Sequence, residues 1–122
     1  MKSSDFTQLI VWQKSMDLTI IIYSLVKFLP REENYALSDQ MRRAVVSIPS
    51  NIAEGQGRAS DKEYVHFLAM ARGSLWELLT QLEICERLNY LKPAQTMEAR
   101  NLVNEISKMI NALSKALQAP QN

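Results

Sequence analysis

The residues best placed to do chemistry lie in one short run, Arg42-Arg43-Ala44-Val45-Val46-Ser47-Ile48-Pro49-Ser50-Asn51-Ile52-Ala53-Glu54-Gly55. Arg43, Ser47, Ser50 and Glu54 follow one another at steps of four, three and four, so a helix would place them on one face with Asn51 within a turn. A buried carboxylate with an arginine partner can be catalytic. The competing reading is a polar network that fixes the register of packed helices or of a subunit contact, and it is preferred here. Other candidates are thinner. His66 has no second His or Cys at a ligand spacing, so no metal is expected. Asp61 and Glu63 are better explained as helix-capping acids than as a catalytic pair. There is no G-x-S-x-G, no phosphate-binding glycine loop and no C-x-x-C, so neither an enzyme nor a cofactor is expected.

Charge adds a second set of candidates. The chain carries 14 Lys and Arg against 13 Asp and Glu, a formal charge of +1. A protein living by phosphate contacts is usually more basic. Folding the chain back on itself would nevertheless gather Lys2, Lys14, Arg58, Lys62, Arg72, Lys108 and Lys115 in one half, against Asp5, Asp17, Glu54, Asp61 and Glu63. That slight basic excess makes Lys14, Arg58, Lys62, Lys108 and Lys115 candidate contacts to RNA or DNA, with a solvated face as the alternative.

The elements that must position these residues are helical. With 122 residues, 47% apolar, three glycines and four prolines, the chain is one domain rich in helix formers. The first helix is predicted over about 9–29. Leu9, Trp12, Met16, Ile20, Tyr23 and Val26 form one apolar stripe, and Leu18, Ile21, Ile22, Leu25 and Leu29 a neighbouring one. The β-branched run Thr19–Tyr23 invites a strand, but the length of the period favours helix. Pro30 ends it.

Ser38 is the expected cap of a second helix over about 39–56, closed by Gly55 and Gly57. Pro49 lacks the N–H that the Val45 carbonyl needs, so this helix is expected to kink there, with Ser47 and Ser50 bonding freed backbone groups. Ser60-Asp61-Lys62-Glu63 reads as a capping box opening a third helix, 61–89. Its core stripe is Tyr64, Phe67, Leu68, Ala71, Leu75, Leu78, Leu82, Cys85 and Leu88. Gly73, with Ser74, is the expected close approach of a neighbouring helix, the kinked one. Pro93 opens a fourth helix, 93–117, with Leu102, Ile106, Met109, Ile110, Leu113 and Leu117 facing inward.

Four helices joined by short connections imply an all-α, up-down-up-down antiparallel four-helix bundle. The apolar arcs of the first and third helices are too wide for one bundle, so Ile21, Leu25 and Trp76 are expected to face another subunit. Cys85 reads as a small buried hydrophobe. No apolar window spans a membrane, the N-terminus does not read as a signal peptide, and the cytoplasm is the expected compartment.

Several separated segments also resemble a known family: Leu9-Ile10-Val11-Trp12-Gln13-Lys14, the run from Gln40 through Ser47-Ile48-Pro49-Ser50-Asn51-Ile52-Ala53-Glu54-Gly55, and Phe67 through Leu75 with Leu78. They resemble the four-helix-bundle proteins encoded in 23S rRNA intervening sequences, whose relatives include the accessory variability determinants of diversity-generating retroelements. The resemblance covers about residues 6–117. It implies a bacterial protein that assembles as a ring-like homopentamer, and the wide apolar arcs of the first and third helices then make a scaffold or adaptor for a protein partner the expected role. The resemblance also implies the alternative of binding structured RNA or DNA through a basic surface, from which this near-neutral chain departs.

Overall fold

The computed structural model describes residues 5–120. Lys2 and the first residues of the N-terminal lead-in, like the end of the C-terminal tail, fall outside them. The described residues form four α-helices and no strand: α1 Ile10–Val26, α2 Leu37–Gln56, α3 Asp61–Arg87 and α4 Pro93–Gln118. Two short 3-10 turns, Phe6–Gln8 and Arg31–Glu33, precede α1 and α2. Packing runs round a cycle, α1 on α2, α2 on α3, α3 on α4 and α4 on α1, while the two diagonal pairs lie apart.

Side-chain pairs give the register. Met41 meets Cys85, Ser47 meets Ser74, and Gly55 lies against Tyr64 and Phe67. Between α3 and α4, Arg72 donates to Asn111 at 3.0 Å, while Arg100 reaches Glu83 and Glu86.

The starts of α2, α3 and α4 each draw on a side-chain acceptor, while α1, with Leu9 at its cap position, starts without one. The Ser60 hydroxyl accepts the Glu63 N–H at 3.2 Å, which is the forward half of the expected capping box. The Gln95 side chain accepts the Lys92 N–H at 2.8 Å, and Pro93 takes the first position of α4, where its missing N–H costs nothing. The start of α2 departs from expectation. Ser38 is not its cap: α2 begins at Leu37, and Ser38 is fully buried with its hydroxyl unpartnered among the described residues. The turn Arg31–Glu33 instead swings the Glu33 carboxylate back to accept the Leu37 N–H at 3.3 Å. An anionic acceptor at a helix N-terminus suits the helix dipole as well as a serine would.

Two ends also fall short of their expected places. α1 stops at Val26 rather than 29, because Phe28 and Leu29 bond three residues back, to Leu25 and Val26, and the helix tightens into a turn before Pro30. α3 stops at Arg87 rather than 89, because Asn89 takes φ 63°. The Asn89 N–H then bonds the Glu86 carbonyl and the Tyr90 N–H bonds Cys85, the paired closure that a left-handed residue allows.

The core is aliphatic and continuous through all four helices, with Leu18, Ile22, Met41, Ile48, Ile52, Leu68, Leu75, Leu78, Leu82, Ile106 and Ile110 fully buried. In α1 the two expected stripes exchange roles. Val11, Ser15, Leu18, Ile22 and Leu25 face the core at steps of four, three, four and three. Met16, Ile20 and Tyr23 stay exposed. Leu25, expected at a subunit contact, therefore belongs to its own core, and Ile21 is half-buried against it. Ser15 hid this pattern: a serine breaks an apolar stripe on paper, yet it is buried here with its hydroxyl donating to the Trp12 carbonyl at 2.7 Å. Trp76 stays outside, 54% exposed.

Candidate interaction surfaces

The Pro49 segment is built into α2, which continues through it. Pro49 leaves the Val45 carbonyl without its usual donor. The neighbouring carbonyls are served by side chains. Ser47 donates to Ala44 at 2.7 Å, Ser50 to Val46 at 2.8 Å, and the Asn51 amide to Ser47 at 2.8 Å. These bonds flank Val45 rather than replace its lost partner. Their effect is to commit Ser50 and Asn51 to their own helix, while Ser47 also reaches Ser74 on α3.

The rest of the face is divided. Arg43 pairs with Asp39 at 3.1 Å, one turn toward the N-terminus, and Glu54 pairs with Arg58 at 3.4 Å, one turn toward the C-terminus. The structure does not bring Arg43 and Glu54 together. Both pairs are exposed and i,i+4, and such pairs contribute little to stability. A shallow hollow of about 330 Å³ does form beside Arg43, Ser47, Asn51, Ser74 and Glu77, between α2 and α3. Its serines donate to carbonyls rather than to a base, so the nucleophile–base contact that hydroxyl chemistry needs is missing there. What the site can do is hold two helices: the Ser47 hydroxyl, shared between the Ala44 carbonyl and the Ser74 oxygen, donates across the α2–α3 seam.

The glycines of the two helices exchange their expected roles. A Cβ on Gly73 would meet nothing within 4 Å, so Gly73 is not the close approach. Gly55 is. A Cβ there would lie 2.8 Å from the Phe67 Cβ, 2.9 Å from Tyr64 Cδ1 and 3.3 Å from the Tyr64 carbonyl oxygen. Gly55 also lies inside α2, and Gly57 caps it. The last turn of α2 touches the first turns of α3 because a hydrogen stands where a side chain would. Gly73 instead looks outward with Ala69, Trp76 and Thr80, all exposed and at helical spacing.

The basic candidates scatter. Lys14 is paired with Glu105 at 2.8 Å. Lys108 and Lys115 are exposed on α4. Arg58 and Lys62 do meet, lining a hollow of about 600 Å³ with Ser60, Glu63, His66 and Phe67. There the Arg58 guanidinium lies 4.7 Å over the Phe67 ring, a cation–π contact.

One ionic cluster escaped the sequence reading. Arg100 is two-thirds buried and donates to both Glu83 and Glu86, while Thr96 donates to Glu86 at 2.9 Å. Helical spacing inside α4 gives no hint of it, because its partners come from α3. Hydrogen bonds from Arg87, then from Arg100, hold the Glu83 carboxyl below its ordinary value of 4.5. A carboxyl with a depressed folded value stabilises the fold above its ordinary value, and that contribution is lost as pH falls through the depressed one. The thermal midpoint of the wild type should therefore drop more steeply between about pH 5 and pH 3 than that of Glu83→Gln. Parallel slopes by circular dichroism would refute the assignment.

Among the described residues no helix is long and apolar enough to cross a membrane. Comparison with curated proteins gives no match. Among solved structures, the chain is similar to a protein of unknown function from the S23 ribosomal protein family of Bacteroides thetaiotaomicron. The two share 29% identity and a TM-score of 0.80, over 87% of this chain and 99% of that one. The family described as 23S rRNA-intervening sequence protein matches residues 7–112, which include the whole Pro49 motif and the Gly55 contact. Nearly the full helical bundle is thus covered, and the chain belongs to the 23S rRNA-intervening sequence protein family.

Proposed function

We propose that this protein is a non-enzymatic, cytoplasmic bacterial scaffold or adaptor that works as a homo-oligomer, a pentamer by resemblance to its family. Its subunit is an up-down-up-down antiparallel bundle bent at Pro49. The register supports the antiparallel reading, since contacts such as Met41–Cys85, Ser47–Ser74 and Gly55–Tyr64 climb one helix as they descend the next. The observation that carries the assembly is the apolar surface left outside. Among the described residues twelve large hydrophobic side chains are exposed, and Phe28, Met70 and Trp76 are among them. Scattered singles need no explanation, but Trp76 beside Ala69 and Gly73 makes a continuous uncharged strip of the kind that marks contacts.

Sedimentation velocity at micromolar concentration tests this. A species several times the 14.0 kDa subunit is expected, and Trp76→Lys should shift it toward monomer while leaving the helical circular dichroism unchanged. A wild-type monomer would overturn the reading. A second reading, an accessory protein binding structured RNA or DNA through a basic face, is favoured by the hollow where Arg58 and Lys62 converge on Phe67. It requires a salt-dependent mobility shift with structured RNA that Lys62→Glu weakens.

A further inference from the structure

A hollow larger than those beside Arg43 and Arg58 lies elsewhere, between α1 and α4. It encloses about 770 Å³ and extends along α4 from Ala94 to Glu105, about 16 Å at the helical rise. Its floor is apolar. Ile20 and Met97 are 65% and 59% exposed, and Ile21 and Leu102 lie half-buried between them. Its rim is acidic, formed by Asp17, Glu98 and Glu105, and among the described residues no lysine or arginine lines it. Lys14 answers Glu105, but among the described residues Asp17 and Glu98 have no ion-pair partner.

An apolar trough about three turns long, bounded by unpaired carboxylates, repels phosphate and suits an amphipathic helix with cationic flanks. The hydrophobic stripes elsewhere on this surface do not carry that pattern. Val46 lies near Arg43, which is already bound to Asp39, and Trp76 sits among Ala69, Gly73 and Thr80. We propose that the α1–α4 groove is the docking site for a partner protein's basic amphipathic helix, of about three turns. Its apolar i, i+3, i+4 and i+7 side chains would seat on Ile20, Ile21, Met97 and Leu102, and its Lys or Arg residues would face Asp17 and Glu98. This rests on the adaptor reading and names the chemistry of the partner.

The probe is a fluorescein-labelled 18-residue helix of leucine and lysine with that spacing, set against the same helix with glutamate for lysine. Anisotropy titration of the full chain should give saturable binding of the cationic helix at one per subunit, weakened by added salt, and none of the anionic one. Glu98→Lys should weaken it about fivefold, since an attraction becomes a repulsion. Met97→Ala should weaken it about tenfold through lost apolar contact. Asp61→Lys, outside the groove, should change nothing. Methyl-labelled methionine spectra locate the site: Met97 should shift while Met70, on α3, stays still.

Equal affinities for wild type, Glu98→Lys and Met97→Ala would overturn the proposal, as would a shift confined to Met70. So would failure of the helix to bind an oligomer in which Met97 is already protected from oxidation, because a second copy would then fill the groove. Sedimentation reads assembly independently, so loss of peptide binding in an intact oligomer sinks this inference alone.

Discussion

Gly55→Ala should lower stability by about 2 kcal/mol, or roughly 8 °C in Tm for a chain of this size. The added methyl would sit 2.8 Å from the Phe67 Cβ and 2.9 Å from the Tyr64 ring, closer than carbon atoms approach without displacement. Tyr64 is buried and the third neighbour is its own backbone carbonyl, so relief requires α2 and α3 to move apart. Alanine's better helix propensity returns about 1 kcal/mol and is outweighed. Gly73→Ala is the matched control. It gains the same propensity in open space, so it should raise stability by about 1 kcal/mol in the isolated subunit. Chemical denaturation of both variants reads the difference directly. An unchanged midpoint for Gly55→Ala would mean that the α2–α3 contact is looser than described.

The native Cys85 thiol should react with iodoacetamide at pH 8 at least about 100-fold more slowly than in denaturant. Burial first, then the charges of Glu33 and Glu86, push this thiol up to about 11. The thiolate is the nucleophile, and a shift of about two units removes roughly 99% of it at that pH. Complete burial against Met41, whose sulfur lies 3.6 Å away, adds a steric barrier on top. Labelling followed by mass spectrometry across a denaturant series should then track global unfolding. Rapid alkylation of the folded protein would show that the α2–α3 seam opens locally.

Much of this architecture was legible in the sequence because helix periodicity and breakers agree. Pro30, Ser60, Pro93 and Gly57 mark boundaries that the structure places within a few residues of those expected. Most of the stripe of α3 was readable for the same reason, as Tyr64, Leu68, Ala71, Leu75, Leu78, Leu82 and Cys85 are all buried, but Phe67 is only half-buried and Leu88, past the helix end, is exposed. What failed did so wherever a polar residue is buried. Ser15 in α1 and Thr96, Ser107 and Ser114 in α4 occupy core positions while looking like surface. With Ser15 discounted, the α1 stripe was assigned to the wrong side, and Val103 was overlooked beside Leu102. The two glycines show the other limit. Spacing places a glycine on a face, but only the neighbouring helix decides which face is crowded. The Arg43–Glu54 face was legible as a face and not as a set of bonds, because each charge found a partner four residues away, Asp39 within α2 and Arg58 just past its end.

The aliphatic interior has a practical corollary for spectroscopy. Neither indole belongs to the fully buried set: Trp12 stands edge-on to Phe6, 5.4 Å between ring centres, and Trp76 faces outward from α3. Emission from this chain is therefore a reporter of its periphery. A change in Trp76 colour or quenching signals what has come to rest on α3, while Trp12, packed at the edge of the leucine-rich interior, is the indole that follows its melting.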